Sequence, residues 1–283
     1  MSAQPPATFV VEINADHPRT LNGRELLQFR ELLWTLIWRD IRVRYQQTVI
    51  GVLWVFLQPL LLMLIYTLVF SVMVRVPVGD TPYPLFILAG LVNWTFFSQG
   101  WTRASQSILN NAPLVLKVYF PRLILPLAAI LSNLLDYLLT LGFTLVFAAA
   151  LGYWPGVRTL GIVACFALMV VQLLGLGAWG AALTARYRDM NLLIPLLLQT
   201  LFYLTPVIYP LELAQDALGA DLYNLAGLFP MTTVISGMRW AILEGQPPPP
   251  WPMLLLSVLS ASLLCISGFW YFARSEQSFM DVL

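Results

Sequence analysis

Residues 45–74 read YQQTVIGVLWVFLQPLLLMLIYTLVFSVMV, a run without a single charge. A helix needs about 20 apolar residues to cross the hydrocarbon core of a bilayer, and this run is longer. A helix that is apolar all round has no face to offer water, so it belongs inside a large protein or in lipid. The pattern returns at 81–102, 159–185, 190–211 and 245–273, again without charge, and at 123–157, where Asp136 is the only charged residue. No soluble domain can cover so many such runs. The chain therefore reads as an all-α integral membrane protein with six transmembrane helices, at about 50–74, 83–104, 122–150, 159–185, 191–210 and 251–272, within a membrane domain of 50–274.

Composition agrees. Hydrophobic residues make up 59% and charged residues 10%, against about 25% charged in soluble domains. A net charge of +1 gives no bulk basic field for nucleic acid. Cys165 and Cys265 lie inside apolar runs and read as small buried thiols. Residues 1–40 mix acids with arginines, so no cleavable signal peptide is expected.

The cations between the runs set the threading. Arg19, Arg24, Arg30, Arg39, Arg42, Arg44, Arg103, Lys117, Arg122, Arg186, Arg188 and Arg274 fall on one side. Arg75, Arg158 and Arg239 fall on the other. The positive-inside rule then places both termini in the cytoplasm, as an even number of spans requires.

Residues 1–21, with Pro5, Pro6 and Pro18, read as a flexible cytoplasmic tail. Residues 22–45 read as an amphipathic interface helix, opened by Asn22 and Glu25 at capping-box spacing. Arg24, Gln28, Glu31, Thr35, Arg39 and Arg42 form its polar stripe. Leu26, Leu33, Ile37 and Ile41 lie opposite, flanked by Trp34 and Trp38, so the helix is expected to lie in the headgroup plane. At 109–120, Asn111 as cap and Pro113 in the first turn start a short helix on the cytoplasmic face. Its tip, with Lys117, Val118 and Tyr119, is apolar enough to suit docking into a partner. Residues 211–247 are too apolar for a solvated loop and too broken by Gly219, Gly227, Pro230 and Gly237 for a span. They read as two short re-entrant helices, a form tolerated where protein covers the backbone ends.

Several chemistries are absent from the pattern. No Gly-Lys-Ser/Thr phosphate loop occurs. The one histidine, His17, sits in the tail, and no set of residues has metal-ligand spacing. A nucleophile with its base cannot be assembled within the spans. The reading is therefore of a transport subunit rather than an enzyme, with no catalytic residue and no metal site.

Within the spans, Asp136 shares a face with Asn133 and Tyr137. It is a candidate for the substrate path, and a satisfied interhelical hydrogen bond is the plainer alternative, since one acid without a basic partner makes a poor relay. Gly177, Ala181 and Ala185 recur every fourth residue and allow close helix packing. Trp94, Trp101, Trp154 and Trp251 fit interfacial belts. Trp54, Phe56, Tyr66 and Tyr203 lie deeper. Their faces suit the apolar faces of sugar rings, although packing is the simpler role.

Four motifs in order resemble one family. They are RDIRVRYQQTVIGVLW at 39–54 with Gln58-Pro59 behind it, KVYFPR at 117–122, YRD at 187–189 and PVIYP at 206–210. The resemblance is to the membrane subunits of type-2 ABC transporters that export polysaccharides, over roughly residues 30–275. Leu228-Phe229-Pro230 departs from the Asn-Pro expected there. The resemblance implies a homodimer forming one channel, with two copies of a separate ATP-binding subunit that holds ATP and Mg. It implies coupling through Lys117, Val118, Tyr119, Arg42 and Arg44, and a lipid-linked cargo of O-antigen, capsular or teichoic acid type in the bacterial inner membrane, O-antigen being favoured. A drug or small-lipid exporter of the same type, and a membrane-bound glycosyl- or acyltransferase, are the alternatives.

Overall fold

The computed structural model describes residues 23–46, 50–154, 156–213, 219, 223, 225–276 and 279, and every regular element among them is helical. The tail, Asn22 and most of the first expected external helix lie outside the described residues. Four stretches are long and apolar enough to cross a membrane: Gly51–Met73, Ile124–Ala150, Val157–Arg186 and Trp251–Ser275.

Helix α1 (Gly23–Gln28) and helix α2 (Arg30–Tyr45) occupy the segment read as an interface helix, interrupted at Phe29. Leu36 and Ile37 are buried against the bundle, with Leu26, Phe29, Leu33 and Ile41 beside them. Trp34 and Trp38 stand exposed, edge to face with ring centres 5.7 Å apart. The helix thus has two apolar surfaces, one for the bundle and one outside it.

A 3-10 turn (Gly51–Leu53) leads into α3 (Trp54–Tyr66), and a π-helical stretch (Thr67–Met73) continues it. Helix α4 (Tyr83–Asn110) is the hub. It packs against α3 and six helices yet to be described, and its side chains are buried along nearly its whole length. Its 28 residues span about 42 Å at 1.5 Å each. It is more polar than the four apolar stretches because protein, rather than lipid, surrounds it.

After α5 (Ala112–Lys117) the chain enters α6 (Ile124–Leu131) and α7 (Leu134–Ala150). The break between them falls at Ser132 and Asn133, whose side chains both bond to the carbonyl of Ala129, at 2.9 and 3.2 Å. Such back-bonding competes with the helix ladder. The break sets Asp136 in the first turn of α7.

Helix α8 (Gly161–Arg186) crosses α11 (Trp251–Ser275) with backbones in contact. A Cβ on Gly268 would overlap the carbonyl oxygen of Gly175. Trp179 stacks on Tyr271 at 4.2 Å and donates to Ser267 Oγ at 3.1 Å. In lipid the hydrophobic effect does not drive helices together, so such close approach and hydrogen bonding carry the association. The expected stripe faces elsewhere: Gly177 lies against Ala104 and Ile130, and Ala181 and Ala185 are buried in the cluster at the α2 end.

Helix α9 (Met190–Leu204) is shorter than the expected fifth span. Its 15 residues cover about 22 Å, less than the hydrocarbon core of about 30 Å. Pro206 disfavours the helical conformation for the residue before it, and Thr205 is extended with ψ 141°. Beyond it, α10 (Pro230–Ile242) is buried among α4, α8 and α11. Where Asn-Pro was expected, extended Phe229 precedes Pro230 at the helix start and packs edge-on to Phe97 at 5.9 Å instead of capping.

Two hydrophobic clusters result. The larger runs through the bundle around Phe86, Phe97, Met169, Leu173 and Val234. The smaller gathers α2, α5 and the nearby ends of α4, α6, α8 and α11 around Ile108, Phe120, Ala181 and Phe272.

Candidate functional site

At the arginine-rich end of the bundle, three helices turn polar faces toward one another. On α4, Thr95, Gln99 and Arg103 follow every fourth residue and so share a face. At the start of α7, Asn133 just before the helix and Asp136, Tyr137 and Thr140 within it share a face at three- and four-residue spacing, and α3 adds Trp54 and Gln58. Together with Arg44 and Tyr45 from the end of α2, they line a cavity of about 250 Å³. A second cavity, of about 420 Å³, lies beside it. Arg39, Asp40, Gln106 and Ser132 help to line that one, and Arg44 and Arg103 border both.

The two sides of the first cavity are joined by charge. Arg44 forms an ion pair with Asp136 through Nη1, and its Nη2 donates to Ser132 Oγ at 3.2 Å. The Tyr45 hydroxyl donates to the other Asp136 oxygen. Burial first, and then the Asp136 carboxylate, push the Tyr45 phenol up to about 12, so it remains a donor at neutral pH. Asp136 thus has the basic partner that the sequence did not show: Arg44 sits more than ninety positions away and reaches it through the fold. Tyr137 donates to Asn93 Oδ1 at 3.0 Å, deeper in the bundle.

The expected coupling residues separate into two groups. Leu116, Lys117, Val118 and Tyr119 are exposed in succession at the tip of α5 and just past it. Arg42 is exposed too, whereas Arg44 turns into the bundle. Asn111 precedes α5 but does not cap it, since its side chain donates to Ser107 O at 2.8 Å. Further along the same loop, Arg122 is buried and donates to the carbonyl of Glu276, while its backbone N–H bonds Glu276 Oε1 at 3.1 Å. This ties the loop to the end of α11.

Of the four deeper aromatics, Trp54 lines the cavity. Phe56 packs on Phe143 at 5.8 Å. Tyr66 packs on Phe202 at 5.8 Å, and Tyr203 is exposed. Tyr66 and Tyr203 lie close to one another, and Trp54 is the one of the four that lines the cavity.

At the opposite end Arg239 is 3% exposed. It donates to the carbonyls of Pro206 and Val207 at 2.6 and 2.5 Å, and lies over the Phe86 ring at 3.5 Å. It holds the segment after α9.

Residues 31–243 match the family model described as ABC-2 type transporter. The chain belongs to that family. Among curated relatives of this ABC-2 chain, the O-antigen export system permease protein RfbA of Myxococcus xanthus is 33% identical over 90% of this chain and 96% of its own length. A protein of the same name from Klebsiella pneumoniae is 28% identical, over 84% and 87%. The polysialic acid transport protein KpsM of Escherichia coli is 24% identical, over 74% and 80%. The ABC-2 match takes in both ends of the ion pair and Arg239. Gln99, Arg103 and Arg239 were not singled out as site residues from the sequence. The fourfold spacing of Thr95, Gln99 and Arg103 was a visible signal, while the role of Arg239 depends on contacts that span long stretches of chain.

Proposed function

We propose that this chain is the membrane-spanning subunit of an ATP-driven exporter that moves a lipid-linked polysaccharide out of the cytoplasm, with O-antigen as the favoured cargo. The supporting observation is the 33% identity with an O-antigen export permease across nearly the full length of both chains. Likeness to the polysialic acid transport protein makes a capsular polymer the next reading.

The finer architecture belongs to the same proposal. Six spans are counted by adding α4 and the α9 segment to the four apolar stretches, and α10 is the second re-entrant helix. Two copies of the chain form one channel, and two copies of a separate ATP-binding subunit hold ATP and Mg. Both termini lie in the cytoplasm, in the inner membrane of the cell. The exposed tip at Lys117, Val118 and Tyr119 supports a docking role, because a cation beside exposed Leu116 and Val118 suits a socket better than water.

Deleting the gene in its host tests the proposal. Surface polysaccharide should vanish from electrophoretic profiles while lipid-linked polymer builds up inside. Unaltered surface polymer would overturn the reading, as would robust ATP hydrolysis by the purified chain alone.

A further inference from the structure

Arg44 and Arg103 both face the cavity between α2, α3, α4 and α7, and among the described residues Asp136 is the one carboxylate that lines it with them. Arg44 is engaged by Asp136, yet its Nε is buried with no partner. Arg103, half-buried, has no hydrogen-bond or ion-pair partner among the described residues. Around the guanidiniums stand Gln99, Gln58 and Thr95, neutral groups able to donate hydrogen bonds. Two cations against one acid leave the lining at +1 (2 − 1). Guanidinium forks match the oxygens of phosphoryl groups, and a low-polarity surround strengthens that match.

We propose that this cavity binds a phosphoryl group, held by Arg103 and Arg44, and that Asp136 competes with that group for Arg44. The inference rests on the export reading in taking the arginine-rich end as cytoplasmic, and it deepens that reading by naming the chemical handle on the cargo. The phosphoryl group is either part of a lipid headgroup or free in the cytoplasm. Because Arg44 also belongs to α2, an anion that draws it from Asp136 loosens the tie between the interface helix and α7. Binding of cargo then reports to α2, which shares a hydrophobic cluster with α5.

The test uses the purified full chain in phosphatidylcholine nanodiscs with radiolabelled dodecyl phosphate as probe. Arg103→Gln should weaken binding roughly tenfold, the value of one charge-assisted hydrogen bond. Asp136→Asn keeps a hydrogen-bond acceptor for Arg44 and Tyr45 but removes the competing charge, and it should tighten binding about threefold or more. Displacement by dodecyl phosphate but not by inorganic pyrophosphate assigns the site to a lipid headgroup. Displacement by both, with the same response to the two variants, assigns it to a free phosphoryl anion. Binding within twofold of wild type in both variants, or weakened equally by both, overturns the proposal. Gel filtration of each variant shows whether it folds, and Asp136→Asn keeps the test decisive if Arg103→Gln does not. No polymer enters the measurement, so its failure leaves the export reading intact, and failure of the gene deletion leaves this site untouched.

Discussion

Arg239 carries a guanidinium into a place where lipid and protein are equally poor solvents for charge. It is kept there by a ring of carbonyls: Pro206 and Val207 at hydrogen-bond distance, Phe86 and Tyr209 at 3.3 Å. Three of those carbonyls, of Pro206, Val207 and Tyr209, are available because α9 stops before Pro206 and leaves the following backbone without a ladder. The arginine and the broken helix therefore need one another. Arg239→Met would remove the charge and leave several buried acceptors unpaired, at a cost of about 2–4 kcal/mol. Arg239→Lys keeps the charge but not the fork. We expect both variants to lower the unfolding temperature in detergent, Met more than Lys, and equal melting of all three forms would show that the carbonyl ring is incidental. Sequence reading assigned Arg239 only to a side of the membrane, because the partners that explain it lie far away along the chain. Asp136 was recognised from its isolation in an apolar run, but Arg44 was taken as a coupling residue on the family resemblance, because nothing along the chain shows that it reaches Asp136.

At the scale of elements, apolar periodicity was legible wherever a helix meets lipid. It was least informative for α4, which protein surrounds and which can therefore hold Asn93, Gln99, Arg103 and Ser105 among its apolar residues. Small-residue spacing pointed to α8 as a packing helix, but not to its tightest neighbour. Gly175 and Gly268 make the closest approach, and neither stands out from the other glycines of its run. A side chain at Gly268 must push α8 and α11 apart, since the atom it would meet is backbone oxygen and not a flexible side-chain end. Gly268→Val should cost about 1–3 kcal/mol or more and reduce the yield of monodisperse protein in gel filtration, while Gly142→Ala, with open space around it, should not. The α5 tip makes a different prediction. Val118 is 52% exposed and follows the last helical residue, so Val118→Asp should leave the fold of this chain intact. If the tip docks into an apolar socket of an ATP-binding subunit, the same change should abolish co-purification with that subunit and stop export. Normal export by the variant would remove α5 from the coupling path.

Across the whole molecule, the described helices leave a long apolar surface on α3, the π-helical stretch that continues it, and α9, with Leu61, Leu64, Ile65, Leu68, Leu192 and Leu196 exposed. A lone chain in lipid can keep such a surface, and a second copy can cover it, so exposure alone does not choose between them. The proposed orientation rests on the uneven division of the cations. The structure groups α2, α5 and Phe279 beyond α11 around one cluster, which gathers most of the cationic segments at one end. Arg239, one of the three cations on the other side, is bonded to backbone rather than left to water, so it exerts little pull on threading. Moving the crowded end outward would carry many cations across the bilayer against the bias that sets topology. Single cysteines placed at Gly79 and at Asn110 in a chain whose Cys165 and Cys265 are replaced by alanine test this directly. Gly79 sits at positive φ in the turn before α4, with open space around it, and a cysteine there should react in intact cells with a membrane-impermeant maleimide. One at Asn110, the last residue of α4, should react only after the membrane is opened. The reverse pattern would place α2 and α5 outside the cell, where no ATP-binding subunit could reach them, and would end the export reading together with the orientation.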